Sequence, residues 1–240
     1  MRRFHRHLLA VAVVTLAQSA GAQQTATSTF GEYSRPVTTE HQAAIGRPVT
    51  SGVLDFYATE FFASGARNVL GTWGTNDATS VNRPSNLGSA TTMFGTQANE
   101  EIDIFGRGSN VVVGPRIDFH LHSMDVAHLY STALSPFALV PFTLTFSGFG
   151  PGTGGALIQQ SFTIAAPPVI NGVQTPFLQT ITFDNRWRSL QNVWWFQGAG
   201  SGSAHQFTNV NATLVPEPGT YALMLAGLVV VAVLRSRRRA

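Results

Sequence analysis

Several short segments in the middle of the chain alternate between apolar and polar residues. Short segments rich in β-branched and aromatic residues indicate strands, and they span 52–62, 110–114, 116–124, 141–149, 157–165, 177–183, 192–196 and 205–215. Glycine- and proline-rich pieces separate them, and Asn171-Gly172 between apolar pairs is typical of a type I′ hairpin turn. Val126 to Leu134 is predicted to form one or two helical turns at most. About eight strands at this spacing predict one all-β domain, an antiparallel β-sandwich or jelly roll.

The N-terminus has the pattern of a signal peptide. Arg2, Arg3 and Arg6 form a basic start, and an apolar stretch follows. Ala20 and Ala22 then provide the small residues at which signal peptidase cuts. The apolar stretch is too short for a permanent membrane span, so we expect residues 1–22 to be removed and the mature chain to begin at Gln23.

The C-terminus has the pattern of a membrane stop. Pro216 and Pro218, on either side of Glu217, favour a stiff, extended segment. No charge occurs from Tyr221 to Leu234, and a transmembrane helix over about 219–234 would be about 24 Å long. That is short of the hydrocarbon core of about 30 Å, which basic side chains at the helix end can compensate by snorkelling. The basic residues at the end of the chain would snorkel in this way and would remain in the cytoplasm. They are Arg235, Arg237, Arg238 and Arg239.

Charge and composition refine this division of the chain. The predicted segments are a signal peptide (1–22), a polar lead-in (23–50), a β-sandwich domain (51–215) and the C-terminal tail (216–240). The formal charge of +3 comes from the ends, because three of the fifteen basic residues lie in the signal peptide and four in the tail. The eight basic residues that remain in the body are outnumbered by eleven acidic residues. The body therefore has a formal net charge of −3, which argues against nucleic-acid binding. The absence of cysteine excludes disulfides and a thiol nucleophile.

The end of the chain resembles the PEP-CTERM sorting signal of Gram-negative bacteria, whose region is also named "ice-binding protein C-terminal". The match consists of Pro216-Glu217-Pro218, the apolar helix and the terminal arginines, in that order. The resemblance implies that the tail first anchors the protein in the inner membrane as an intermediate, and that an exosortase then cuts near Pro-Glu-Pro. It also implies delivery of the body to the cell surface or an extracellular polysaccharide matrix. Flat ice-binding faces usually consist of rows of threonines that come from sequence repeats. We find no internal repeat, so the sequence does not indicate ice binding.

The body has a second, weaker resemblance, confined to residues 100–215. Its segments FHLHSMDVAHLY, NVWWF and HQFTNVNATLVPEP are similar to phrases in the bodies of exported PEP-CTERM proteins. The resemblance implies a jelly roll like that of carbohydrate-binding modules, and it extends to the fold alone.

One strand offers a candidate metal site. Asp118, His120 and His122 share a strand face, with the histidines about 6.6 Å apart, and Asp125 or His128 follows nearby. The spacing resembles the His-x-His of cupins, although the glutamate that should follow is missing. Strict alternation explains the same residues as the polar face of an ordinary amphipathic strand. We therefore predict no metal and no cofactor.

The acidic residues do not define a catalytic site. Glu101 and Asp103 share a strand face opposite Glu100, which is compatible with half of a glycosidase pair. An exposed acidic strand is the common alternative. Neither a Gly-x-Ser-x-Gly elbow nor a His-Glu-x-x-His helix occurs, so we predict no catalytic residue.

Aromatic residues are the remaining candidates for binding. Trp194 and Trp195 must point to opposite faces of a strand, so one of them can face outward and stack on a sugar ring. The alternative is that both are buried, since large aromatic side chains chiefly serve core packing.

The leading hypothesis is an exported, non-enzymatic β-sandwich protein sorted by exosortase, with weak carbohydrate binding. The rival is a secreted polysaccharide-processing or metal-dependent enzyme that uses Asp118, His120 and His122 or the 100–103 segment. A third hypothesis is a protein whose tail is never cut and remains a membrane anchor.

Overall fold

Fifteen strands account for nearly all regular structure in the residues that the structure describes. This computed structural model describes residues 23–31, 41–42, 49–59, 70–73, 92–95, 101–107, 117–128, 139–150, 155–174, 177–197 and 204–215, and helical positions 227–228, 230–231 and 234–235. The strands are β1 Thr25–Ser28, β2 His41–Gln42, β3 Val49–Ser51, β4 Leu54–Thr59, β5 Leu70–Trp73, β6 Thr92–Gly95, β7 Glu101–Gly106, β8 Phe119–His128, β9 Phe142–Phe149, β10 Leu157–Ile164, β11 Val169–Ile170, β12 Val173–Gln174, β13 Gln179–Thr182, β14 Asn192–Phe196 and β15 His205–Leu214.

The strands form two large antiparallel sheets and one small hairpin. Sheet I has the order β13-β8-β15-β6-β5-β2, and β1 also pairs with β15. Sheet II has the order β10-β9-β14-β7-β4-β3, and β11 pairs with β12 alone. The all-β prediction is confirmed for the body, and 25–214 forms one compact unit.

One hydrophobic core receives side chains from both large sheets. Phe207 of sheet I lies 5.0 Å, between ring centroids, from Trp195 of sheet II, and 6.1 Å from Phe56 of the same sheet. Phe30, which follows β1, packs edge-on against Phe56 at 4.9 Å. Every second side chain of a sheet II strand points into this core, which explains the alternation of apolar and polar residues along the strands. One inward-facing row across the sheet consists of Gly148, Val193, Ile104, Phe56 and Val49.

Several predicted boundaries agree with the structure. β14 covers the predicted 192–196, and β9, β10, β13 and β15 lie within their predicted segments. The hairpin turn is confirmed, because Asn171 and Gly172 have φ of 51° and 80°, and both positions of a type I′ turn require positive φ. The segment 110–114 lies outside the described residues.

The lead-in prediction needs correction. Thr25–Ser28 pairs with β15, and the side chain of Phe30 is fully buried. Part of the segment assigned to a polar lead-in is therefore integral to the folded body. The pairing could not be read from the pattern, since it joins Thr25 to Thr213 at the opposite end of the domain.

Two further predictions were wrong. The first three residues of the predicted helical turns, Val126 to His128, are the end of strand β8. The acidic strand β7 was expected to be exposed, but it lies between β14 and β4 in sheet II, and only 8% of Asp103 is exposed.

A pair of compensating bulges joins β8 to β15. Asn211 pairs with Ser123, whereas Thr208 pairs with Asp125 and Ala212 with Leu121. Each strand therefore carries one extra residue on opposite sides of the Asn211 pair, and Asn209 has a φ of 50°. The buried side chains consequently change from odd to even positions along each strand, from Leu121 to Met124 on β8 and from Phe207 to Val210 and Ala212 on β15.

The ends of the chain are described only in part. Residues 227–228, 230–231 and 234–235 are helical and exposed. Within the described residues, no helix combines the length and the apolar character that crossing a membrane requires. The predicted signal peptide, with Ala20 and Ala22, lies outside the described residues.

Candidate functional site

The outward side of sheet II, which we call the outer face, carries the main group of candidate binding residues. Strand alternation directs every second side chain away from the core. In register across five neighbouring strands, these outward side chains include Gln159, Ser147, Trp194, Asp103 and Tyr57. The row combines two aromatic rings with amide, hydroxyl and carboxylate groups.

An aromatic platform occupies the β9 and β14 part of the outer face. The rings of Trp194 and Phe149 lie 4.9 Å apart between centroids, with an interplanar angle of 39°. Phe149 is 39% exposed, Phe196 on β14 is 46% exposed, and Leu157 pairs with Phe149 and is exposed as well. Flat, partly exposed rings of this kind can stack against the apolar face of a sugar.

Carboxylates lie beside the aromatic rings. The register places Asp103 directly opposite Trp194 and Glu101 directly opposite Phe196. Burial, followed by the negative charge of Asp103, raises the pKa of Glu101 to about 7. Farther along the face, burial and then the charge of Asp55 raise the pKa of Tyr57.

Polar side chains complete the outer face. The amide of Gln159 donates a hydrogen bond to the hydroxyl of Ser147 at 3.1 Å. Asn192 lies two residues before Trp194 on the same side of β14 and opposite Phe149. Only 9% of Asn192 is exposed, and its Oδ1 is buried with no hydrogen-bond partner. The outer face therefore combines partly exposed aromatic rings with polar side chains that are themselves buried, among them Ser147 and Asn192.

The two adjacent tryptophans have different surroundings. Trp194 faces outward, as one member of the pair was predicted to do. Trp195 is 1% exposed, and its Nε1 donates to Nε2 of His205 at 2.9 Å. Trp195 is therefore a core residue, and its assignment as a candidate ligand-binding residue was wrong.

The predicted histidine site is divided between two sides of sheet I. His120 and His122 lie on the outward side with ring centroids 6.3 Å apart, and His122 Nε2 is 2.9 Å from the Thr213 hydroxyl. His128 faces inward, is 2% exposed, and its Nε2 lies 3.0 Å from the Val140 carbonyl. The bulge pair produces this division, because it reverses the alternation between His122 and His128.

The remaining members of that candidate set are also accounted for. Asp125 accepts hydrogen bonds from the side chains of Thr180 and Asn209. Burial, then His122 and Arg188, lowers the pKa of His120. Among the described residues, no group of three or more histidine and carboxylate side chains is arranged to hold a metal ion. Asp118 lies just before β8 and is half-buried.

The sorting residues lie mostly outside the described part of the chain. Pro216, Glu217, Pro218 and the last three arginines are not described, and Arg235 is exposed on helical backbone. Comparison with protein families matches residues 214–239 to the PEP-CTERM protein-sorting motif. The chain carries a PEP-CTERM sorting motif. This motif implies processing by an exosortase and membrane-anchored sorting of an exported protein.

Comparisons with whole proteins are less specific. No curated protein matches the chain. Among solved structures, a crystal structure of a DUF4465 family protein from Bacteroides caccae is similar, with 11% sequence identity and a TM-score of 0.47. The similarity covers 80% of this chain and 99% of the other. Similarity of this degree assigns no function to this chain.

Sequence reasoning identified Trp194 but missed its neighbours. It noted the Glu101 and Asp103 segment only as compatible with half of a glycosidase pair, and it did not single out Phe149 or Asn192. No local signal places β7 and β9 on either side of β14, because both pairings join segments that are distant in the sequence.

Proposed function

We propose that the protein is exported, processed by an exosortase and delivered to the cell surface or extracellular matrix of a Gram-negative bacterium. There its body, a β-sandwich of the jelly-roll kind, binds polysaccharide without catalysing a reaction. The sorting motif at 214–239 supports the first part of this proposal. In the same proposal, signal peptidase removes residues 1–22, and the tail serves as a membrane intermediate before it is cut.

One observation carries the binding function. Trp194 projects from the outer face and packs against the partly exposed Phe149, beside hydrogen-bonding groups on neighbouring strands. A sugar ring has an apolar face and an edge of hydroxyl groups, so an aromatic ring surrounded by acceptors and donors matches both.

The experiment is a binding titration against purified polysaccharides of three charge types: a neutral β-glucan, a uronic-acid polymer and a glucosamine polymer. We expect Trp194→Ala to weaken binding about tenfold, since lost stacking and apolar contact cost about 1.4 kcal/mol. Phe177→Ala is the matched control, because Phe177 is 38% exposed and precedes β13 of sheet I. Equal binding by the wild type and Trp194→Ala would contradict the assignment of this face.

A second candidate function is polysaccharide cleavage with Glu101 as the acid. The placement of Glu101 on the outer face, opposite the exposed Phe196 and two residues before Asp103, favours it. Burial and the charge of Asp103 raise the pKa of Glu101 to about 7 there, and a general acid must hold its proton near neutral pH. Release of reducing ends from any of the three polymers, abolished in Glu101→Gln, would favour this enzyme over the binding protein. The metal-dependent form of this rival would instead be tested by joint replacement of His120 and His122 with alanine.

A further inference from the structure

We propose that the edge strand β10 pairs with β10 of a second copy of this chain, antiparallel and centred on Gln159. The pairing joins the sheet II of each copy into one continuous sheet. This inference is independent of the proposed polysaccharide binding, because it rests on the backbone of β10 and not on the aromatic platform.

The backbone groups of β10 point alternately toward β9 and away from it. The N–H of Gly150 donates to the C=O of Ala156 at 3.2 Å, so the even-numbered residues bond to β9. The eight residues of β10 pair with β9 without a register shift, so this alternation continues along the whole strand. The N–H and C=O groups of the odd-numbered residues therefore lie along the outer edge of sheet II.

The side chain of Gln179 covers one end of this edge. Its Nε2 donates to the Thr163 carbonyl at 3.1 Å, and its Oε1 accepts from the Ala165 N–H at 3.0 Å, in agreement with the outward direction of the odd-numbered groups. Within the part of the chain that the structure describes, three residues of β10 have outward backbone groups without a hydrogen-bond partner: Leu157, Gln159 and Ser161. The open part of the edge is therefore symmetric about Gln159.

β10 lacks the features that keep natural edge strands from pairing. Such strands are usually short, or they carry charged residues, proline or a bulge. The strands at the other ends of the two large sheets, β2, β3 and β13, have only two to four residues. β10 has eight, with the sequence LIQQSFTI, which contains no charge and no proline. A long, uncharged edge of this kind is open to another strand.

The inward side chains of β10 also lack a neighbour at this edge. Ile158 and Phe162 pack against the hydrophobic core but are only half-buried, because β10 is the last strand of sheet II. A strand added at the edge covers the open flanks of both side chains. The added pairing therefore buries apolar surface in addition to forming backbone hydrogen bonds.

A second copy of β10 supplies the strand that this edge needs. Rotation about a twofold axis at Gln159 places Leu157 opposite Ser161 of the second copy, and Gln159 opposite its own counterpart. Each of these antiparallel pairs exchanges two hydrogen bonds. Because β10 carries no charge, it meets itself without repulsion. The pairing uses the long edge of both copies, so the assembly closes at two chains.

The dimer also has a consequence for the outer face. The twofold axis is perpendicular to the sheet, so the outer faces of the two copies lie on the same side. Trp194 and Phe149 of both copies then belong to one continuous surface. For the polysaccharide binding proposed above, two platforms on one rigid sheet increase avidity without any new contact.

Cross-linking tests the register, because the chain has no cysteine of its own. Gln159→Cys places two thiols at the axis with Cα atoms about 5.5 Å apart, a separation at which disulfides form. Thr163→Cys is the matched control, since Thr163 is exposed on the same strand but its two copies lie more than about 25 Å apart. Mild oxidation of the full chain in detergent should link Gln159→Cys at least about tenfold faster than Thr163→Cys.

Sedimentation equilibrium of the full chain in density-matched detergent measures the dissociation constant. One paired strand is smaller than a standard interface, so we expect a micromolar constant for the wild type. Ser161→Pro removes an outward N–H and leaves the bonds to β9 intact, so it should raise the constant at least about tenfold. Ser161→Ala keeps the N–H and is the control. If Ser161→Pro does not fold, Gln159→Lys replaces it, because like charges directly opposite each other repel.

Three results would overturn the proposal. The first is a wild type that stays monomeric at about 100 μM, and the second is a Gln159→Cys variant that links no faster than Thr163→Cys. The third is a dimer that neither Ser161→Pro nor Gln159→Lys weakens, because its contacts would then lie elsewhere, for example in the C-terminal tail. None of these results bears on polysaccharide binding, which the titration of Trp194→Ala tests separately.

Discussion

Two buried tryptophans form a matched pair that separates hydrogen bonding from packing. Trp195 and Trp187 are 1% and 0% exposed. Nε1 of Trp195 donates to Nε2 of His205 at 2.9 Å, whereas Nε1 of Trp187 is buried without a partner. Replacement of either residue by phenylalanine removes the same atoms, so much of the packing loss cancels when the two variants are compared.

The remaining difference can be worked out from the hydrogen bonds. In Trp195→Phe, Nε2 of His205 loses its donor, and an unsatisfied buried acceptor costs about 1–3 kcal/mol. In Trp187→Phe, an unsatisfied N–H is removed, which recovers a penalty of about 1–3 kcal/mol. We therefore predict that Trp195→Phe lowers the free energy of unfolding by at least about 2 kcal/mol more than Trp187→Phe.

Urea unfolding followed by circular dichroism measures this difference without relying on tryptophan fluorescence. Both variants need the same slope against urea as the wild type for the comparison to hold. Stabilities that agree within about 0.5 kcal/mol, or a less stable Trp187→Phe, would refute the role given to the hydrogen bond.

Three further predictions concern titration and close packing. Burial lowers the pKa of His128, so the free energy of unfolding should fall as pH decreases from about 6.5. Unfolding measured at two pH values should show a smaller decrease in stability for His128→Gln than for the wild type. An equal decrease in both proteins would contradict this prediction. The raised pKa of Glu101 has the opposite effect, because the wild type loses stability as pH rises and the buried carboxyl group ionises. The stability of Glu101→Gln relative to the wild type should therefore increase between about pH 5 and about pH 8. A stability difference that stays constant across that range would contradict the raised pKa. Gly106→Ala should lower the free energy of unfolding by about 1–3 kcal/mol, because the added Cβ would collide with the Ile117 carbonyl. Gly31→Ala is the control, since the nearest contact of its Cβ is 3.6 Å away, and it should change stability by less than about 0.5 kcal/mol. Similar melting temperatures for the two variants would contradict this prediction.

Local patterns were sufficient to predict the long, regular strands. β14 could be predicted because Asn192–Phe196 is a short run rich in β-branched and aromatic residues that a glycine-rich segment follows. Asn171-Gly172 could be predicted because few residue pairs tolerate two positive φ angles. Both signals are contained within a few residues. The opposite orientations of Trp194 and Trp195 follow from strand geometry, in which successive side chains point to opposite faces of the sheet.

Features that depend on a distant partner could not be predicted. Thr25–Ser28 is polar, and it belongs to the sheet only because β15 offers it an edge. The bulges of β8 and β15 compensate each other, so neither strand alone reveals the change in alternation that separates His128 from His122. The same limit applies to the outer face, since Asp103 and Trp194 become neighbours only through the pairing of β7 with β14.

Intact-mass analysis tests the central claim, sorting by exosortase, most directly. The protein would be recovered from the envelope and the medium of cells with and without exosortase. Our account predicts loss of residues 1–22 in both strains, and loss of the segment beyond Pro-Glu-Pro only in cells that contain exosortase. A full-length C-terminus in both strains would contradict it and would identify the tail as a plain anchor.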